Sequence, residues 1–195
     1  MAVKKIIEIG HKVLKLDNKS IEDFNSPKLK RLIRNLIDTM KDYDLIGIAA
    51  PQIGENYQVF ITQPRKTHAR NLGKSDILRI YINPQITYLS KETNLIYEGC
   101  GCVPESSIFG PVVRPSEIEI EAFDENGEKF SLRCDGLLAR VIQHEFDHLK
   151  GIEFLEKVTD NRKMVSWTHY RKDIRNSKEQ KTASLITKVE YKVVS

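Results

Sequence analysis

The sequence predicts an α+β fold, a single domain in which antiparallel β-sheets gather around one central helix, with a second helix on its N-terminal side and another near the C-terminus. Three observations carry this expectation. Leu29, Leu32, Ile33, Leu36, Ile37 and Met40 recur at helical spacing. The run S-E-I-E-I-E-A-F-D at 116–124 alternates, Asp124-Glu125-Asn126-Gly127 makes a turn, and 129–134 returns, which is a β-hairpin. Beyond it, Leu137, Leu138, Val141, Ile142 and Phe146 come back at helical spacing and stop at Gly151. A chain of 195 residues with 40% hydrophobic and 30% charged content is long enough to bury one ordinary core.

Taken in order, residues 3–16 form an ordered arm in which I-I-E-I reads as a short strand, and 15–26 is polar and turn-rich. Ser26 then caps a helix with Pro27 at its first position, running to about Tyr43. In L-I-G-I-A-A-P-Q-I-G (45–54) the small residues let the backbone pass close to something, and Pro51 forbids helix. No Gly-Lys-Ser/Thr follows, so this is not a phosphate loop; a tight packed turn is the plain alternative. Residues 58–63 and 77–83 read as strands with a basic, exposed loop between them. His68 in that loop, like His11 and His169, reads as surface. Asn83-Pro84 ends the second strand, and 86–89 continues the sheet. Asp135 can cap the central helix, and Cys134 reads as a core thiol. A C-terminal helix is expected from about 160 to 176, and 171–181 is markedly basic. The last twelve residues fit either a strand or a disordered tail.

The net charge of +4 is mild and demands no nucleic acid. No apolar run reaches the length of a membrane span, and residues 1–11 place Glu8 and His11 where a signal peptide needs an apolar core. Three cysteines, an odd number, suit reduced thiols and a cytoplasmic location.

The stretch Q-H-E-F-D-H-L-K-G at 143–151 contains H-E-x-x-H. On a helix this stacks His144 and His148 on one face, able to share a metal ion, while Glu145 can act as base on a bound water. A third ligand must come from elsewhere. In Y-E-G-C-G-C (97–102), Cys100 is flanked by glycine on both sides, which suits a thiolate approached closely by metal and substrate. A Cys-His-His set leaves one position open, as catalytic sites do. Gln52 carries an amide that can donate to an oxyanion.

Three motifs in this order resemble those of the peptide deformylase family: Ala49-Ala50-Pro51-Gln52, Glu98-Gly99-Cys100, and the whole of 143–151. The resemblance spans roughly residues 3–165, leaving a basic helix and tail at about 160–195. It implies hydrolysis of the N-formyl group from the N-terminal methionine of nascent polypeptides, with release of formate. It implies that Cys100, His144 and His148 bind the metal, and that Glu145 deprotonates the water and returns the proton to the departing amine. The Gln52 amide and the backbone N–H of Gly101 would hold the oxyanion. Ile46 and Gly99, with Gly47 and Glu98 beside them, would align the substrate as an added strand, while Ile46, Leu137 and Val141 would line the methionine pocket. Fe(2+) is the metal the resemblance implies in the cell, with Zn(2+) or Ni(2+) in isolated protein. Ligand type alone fits zinc equally well. Formylmethionyl nascent chains would be the partners, with ribosome contact through the basic C-terminal segment, and neither membrane nor specific nucleic acid.

The chain departs from the family pattern in two places. Leu45 stands where the family usually has Gly, and Gly101-Cys102 where it usually has Leu-Ser. A glycine at 101 keeps the N–H but holds it less firmly, and Cys102 adds an oxidisable thiol. Glu98 and Arg114 are expected to form a structural ion pair. Two rival readings remain. A zincin-type metallopeptidase would need a third His or Glu ligand downstream, where His169 is the only later His, and metal retention by Cys100→Ala would favour it. A low-activity binding paralogue is motivated by Leu45 and Gly101, but has no need of Glu145.

Overall fold

Helix α1 (Pro27–Asp42) begins where its cap places it. Ser26 Oγ accepts from the Leu29 N–H at 3.3 Å, and Pro27 sits in the first turn, where a missing N–H costs nothing. Leu29, Leu32, Ile33, Leu36 and Met40 form its buried stripe. The computed structural model describes residues 3–66 and 76–194, so His68 and most of the basic loop lie outside the described residues.

The strands are β1 (Gly47–Ala49), β2 (Val59–Thr62), β3 (Arg79–Leu89), β4 (Thr93–Glu98), β5 (Ile108–Pro115), β6 (Glu117–Phe123), β7 (Lys129–Asp135), β8 (Val165–Ser166) and β9 (Val189–Val193). They form two sheets, ordered β1-β2-β3-β6-β7-β9 and β4-β5-β8, and every paired strand is antiparallel. In the predicted hairpin, Ile118, Ile120 and Ala122 of β6 face Cys134, Leu132 and Phe130 of β7 on the buried side. Gly127 supplies the positive φ of 81° that the turn requires. Cys134 is buried among them, as expected.

Helix α2 (Gly136–Leu149) lies on the larger sheet, and Leu137, Leu138, Val141 and Ile142 join the apolar cluster of β6 and β7. A second cluster lies between α1, the N-terminal arm and β1 to β3. These two cores fix α2 with one flank turned toward the smaller sheet.

Several expectations need correction. The N-terminal arm makes no strand. Instead the Ile7 N–H donates to Gln52 O at 2.8 Å and the Ile9 N–H to Cys102 O at 2.9 Å, before a short 3-10 turn at Lys12–Lys15. The arm therefore ties two site-bearing loops together. Asn83 does not end a strand: β3 continues through it with a register shift, Asn83 at φ 51°, its side-chain amide exchanging two 2.8 Å hydrogen bonds with the Ile21 backbone. The C-terminal helix starts later than expected and comes in two pieces, α3 (Trp167–His169, continuing as a wider turn over Tyr170–Ile174) and α4 (Lys178–Ser184). The tail is a strand, β9, paired to β7. Asp135 occupies the cap position of α2 but makes no cap bond. Its carboxylate accepts from the Thr187 and Lys188 N–H groups at 2.7 and 2.9 Å, so it holds the tail instead.

Candidate active site

Cys100, His144 and His148 converge, with one ligand atom from each lying within 4.8 Å of the others. The two histidines stand one turn apart on α2, ring centroids 5.2 Å apart, and the loop after β4 brings Cys100 Sγ to 3.3 Å from His148 Nε2. Tetrahedral coordination with metal–sulfur near 2.3 Å and metal–nitrogen near 2.1 Å would set S and N about 3.6 Å apart. The trio therefore fits a small divalent cation with a modest outward adjustment. Cys100 and His148 are buried, and His148 is held well below the ordinary imidazole range by burial and then by His144. A neutral imidazole is the form that ligates.

His144 is oriented from behind. Its Nδ1 lies 2.9 Å from Glu98 Oε2. A carboxylate only accepts, so Nδ1 carries the proton and Nε2 keeps its lone pair for the metal. Glu98 is itself clamped by two arginines. Arg114 is bidentate at 2.7 and 3.0 Å, and Arg140 donates at 2.8 Å. Burial alone would raise the Glu98 carboxyl, but Arg114 and then His144 outweigh it and hold it well below the usual range. The expected Glu98–Arg114 pair is thus present, and Asp147 joins it from α2 at 2.6 Å. Arg140 and Asp147 escaped the sequence reading. The available signal was an arginine four residues before His144 on an otherwise apolar helix face.

Glu145, next to His144 on α2, is buried, and its Oε2 has no hydrogen-bond partner among the described residues. Burial, then Cys102 and Glu98, push its carboxyl well above the ordinary range. Gly47 makes room for it: a Cβ there would come within 2.5 Å of both Glu145 Oε1 and Val141 Cγ1. The small residue on β1 is thus a close-approach requirement, the reading that competed with a packed turn.

Gln52 is buried, and its orientation follows from hydrogen bonding. Oε1 accepts from the Ala49 N–H at 2.7 Å, which turns Nε2 toward Cys100 and Cys102 Sγ, 3.6 Å from each. Among the described residues, the N–H of Gly101 and the N–H and C=O of Gly99 have no protein partner. A Cβ on Gly101 would press on Ile6 and Leu45, each at 3.2 Å.

These groups line a cleft of about 530 Å³, including open space at its mouth, bounded by Leu45, Ile46, Gly47 and Gln52 on one side, Ile96–Gly101 on another, and Leu137, Arg140, Val141, His144 and Glu145 of α2. His148 lies beneath. Every other residue anticipated for the site faces this cleft. The arrangement offers an open metal position, one proton-accepting carboxylate and an aligned amide donor. His11 and His169 are exposed and take no part.

Residues 3–164 match the family model for polypeptide deformylase. Peptide deformylase 2 of Clostridium perfringens is 38% identical over 165 residues, covering 85% of this chain and 99% of that protein. The crystal structure of the peptide deformylase from Thermotoga maritima aligns at TM-score 0.72 and 32% identity, covering 82% of this chain and all of that one. A class I type b peptide deformylase from Acinetobacter baumannii, solved with Met-Ala-Ser bound, aligns at TM-score 0.74 and 31% identity over 81% of this chain. With the three motifs assembled around one cleft and relatives matched along nearly their whole length, the chain belongs to the polypeptide deformylase family.

Proposed function

We propose that deformylation, hydrolysis of the N-formyl group from an N-terminal methionine to give formate and a free amine, is carried out here by Glu145, Gln52 and the Gly101 N–H around a cation held by Cys100, His144 and His148. The carrying observation is the buried carboxylate of Glu145, with one oxygen unpartnered, beside a cysteine–histidine–histidine trio. A divalent cation bound there polarises the formyl carbonyl and makes water a nucleophile at neutral pH. Glu145 takes the proton as water adds to the formyl carbon, then delivers it to the methionine nitrogen as the C–N bond breaks. Its raised proton affinity suits a group that must hold a proton between the two steps. Gln52 Nε2, fixed by Ala49, and the unpaired Gly101 N–H donate to the oxygen as it becomes negative. Gly99 offers its unpartnered backbone N–H and C=O for strand-like alignment, and Ile46 its N–H, its C=O being taken by the Gln63 N–H at 2.7 Å; Ile46, Leu137 and Val141 give the methionine side chain an apolar wall. Glu98 faces the cleft, but its oxygens are occupied by Arg114, Arg140 and His144, so we assign it to orienting His144.

The remaining assignments rest on residue chemistry. A thiolate with two imidazoles suits Fe(2+) and Zn(2+) alike; we assign Fe(2+) in the cell, with Zn(2+) or Ni(2+) able to replace it. Residues 3–165 form the catalytic core and 160–195 a basic appendage. From Val165 onward, seven Lys or Arg face three Asp or Glu, a balance suited to the ribosome surface near nascent chains. No helix among the described residues is long and apolar enough to cross a membrane, and we place the protein in the cytoplasm. The test is formate release from formyl-Met-Ala-Ser by protein purified without oxygen and loaded with Fe(2+). Turnover in wild type, abolished in Glu145→Ala, is expected. Absence of turnover in folded, metal-loaded wild type would overturn the assignment.

A further inference from the structure

Strand β4 is an edge strand whose inner side pairs with β5, with Pro111 opposite Tyr97 and Pro115 opposite Thr93. Proline has no N–H to exchange, so these are non-bonded positions, and Leu95 and Tyr97 turn their N–H and C=O groups outward. By alternation Gly99 does the same. Outward backbone groups on an edge strand normally invite another strand. Here the two beyond Gly99 are already taken. The Tyr97 N–H donates to Gln180 Oε1 at 2.9 Å, and Gln180 Nε2 donates to Leu95 O at 3.2 Å. One side-chain amide reproduces the two bonds an added strand would make.

Gln180 is buried, and the segment carrying it is anchored independently. Ser177 Oγ accepts from the Gln180 N–H at 3.2 Å, and Asn94 Nδ2 donates to Ala183 O at 3.3 Å. Tyr170 stacks on Phe109 at 4.0 Å and 5°, and the Phe109 ring lies 2.7 Å from where a Cβ on Gly99 would be. The backbone of Leu185 fills the space beside Gly136, whose φ of 58° also needs glycine. Tyr170, Ser177, Gln180, Ala183 and Leu185 all lie beyond residue 164, where the family match ends.

We infer that Gln180 sets the length of peptide the enzyme reads. A formyl-peptide whose formyl group sits at the Cys100–His144–His148 trio and whose backbone pairs with Gly99 would next reach Tyr97 and Leu95, where Gln180 stands. The enzyme then engages the chain through the residue opposite Gly99 and releases everything further to solvent, because the next outward groups of β4 are held by Gln180. This rests on the deformylase reading and on strand-like alignment at Gly99.

The test compares formyl-Met peptides of two to six residues on Fe(2+)-loaded wild type, Gln180→Ala and Gln180→Glu; the last keeps an acceptor for Tyr97 but sets a carboxylate against Leu95 O. Wild type should reach its full kcat/KM by the tripeptide. Both variants should keep kcat on the dipeptide, while KM for the penta- and hexapeptides falls about threefold to tenfold, the worth of a gained backbone hydrogen bond. Hydrogen exchange gives a second readout. The Tyr97 amide should be protected in wild type and in Gln180→Glu with or without product peptide, and in Gln180→Ala only with a long one. Superimposable length profiles, or a uniform loss at every length, would overturn the inference. Failure of wild type on every peptide would instead count against the deformylase assignment.

Discussion

Exchanging Leu45 and Gly101 tests whether the two departures from the family pattern are one packing unit. A Cβ at position 101 would sit 3.2 Å from Leu45 Cδ1 and 3.2 Å from Ile6 Cδ1, tighter than ordinary contact. Gly101→Leu adds three further carbons to that space, an overpacking of about 1–3 kcal/mol. Leu45→Gly empties a half-buried position, costing about 1–2 kcal/mol in transfer free energy and roughly 1 kcal/mol in backbone freedom. Independent sites would make the double variant about 3–6 kcal/mol less stable, the sum of these ranges. If the leucine introduced by Gly101→Leu refills the volume Leu45 vacates, only the backbone term survives, and the coupling is about 2–5 kcal/mol in favour of the pair. Urea unfolding of the wild type, both singles and the double at one metal loading measures it. Additivity within about 0.5 kcal/mol would refute the shared packing, and the glycine at 101 would then have to be explained by the oxyanion contact alone.

Glu145→Gln should lower kcat about 10²- to 10⁴-fold while leaving bound metal unchanged, read by formate release and metal analysis. Glu98→Gln removes the anion from a buried clamp of two arginines, costing about 3–5 kcal/mol, and lets His144 turn, weakening metal affinity about tenfold to a hundredfold. Because Glu98 is depressed in the folded state, its contribution is fully present above the unfolded carboxyl value of about 4.3 and is lost as pH falls through the lower folded value; the variant should lose less stability over that acid range, followed by urea midpoints. Gly47→Ala places a methyl against Glu145 and Val141 at 2.5 Å; kcat should fall with metal retained, and unchanged kcat would count against close approach.

What the sequence disclosed is what local chemistry decides. A cap-plus-proline start, alternation around Asn126-Gly127 and H-E-x-x-H each act within a few residues, and α1, the β6–β7 hairpin and the histidine face of α2 appeared where those signals put them. The misreadings share another cause. Asp135 looks like a cap because capping is local, yet Thr187 and Lys188, just ahead of β9 and about fifty residues on, offer their N–H groups to the same carboxylate. Ile6 to Ile9 look like a strand, but their partners are carbonyls of two separate loops rather than another strand. Arg140 and Gln180 each act on β4 from distant helices, and no spacing rule in one dimension marks them.

The division of labour between two buried glutamates follows from the same long-range packing. Glu98 and Glu145 both leave water, a change that by itself raises a carboxyl. Around Glu98 the fold sets Arg114, Arg140 and His144, enough positive charge and donation to reverse the burial effect and keep it anionic. Around Glu145 it sets the small wall of Gly47 and leaves Oε2 unbonded, and among the described residues no Lys or Arg hydrogen-bonds it, so burial prevails over the protein's own charges and its proton affinity rises. A permanent anion can orient a ligand but cannot cycle a proton; a carboxyl whose proton affinity burial has raised is suited to do so. Exchanging the roles would require moving two arginines rather than editing either glutamate.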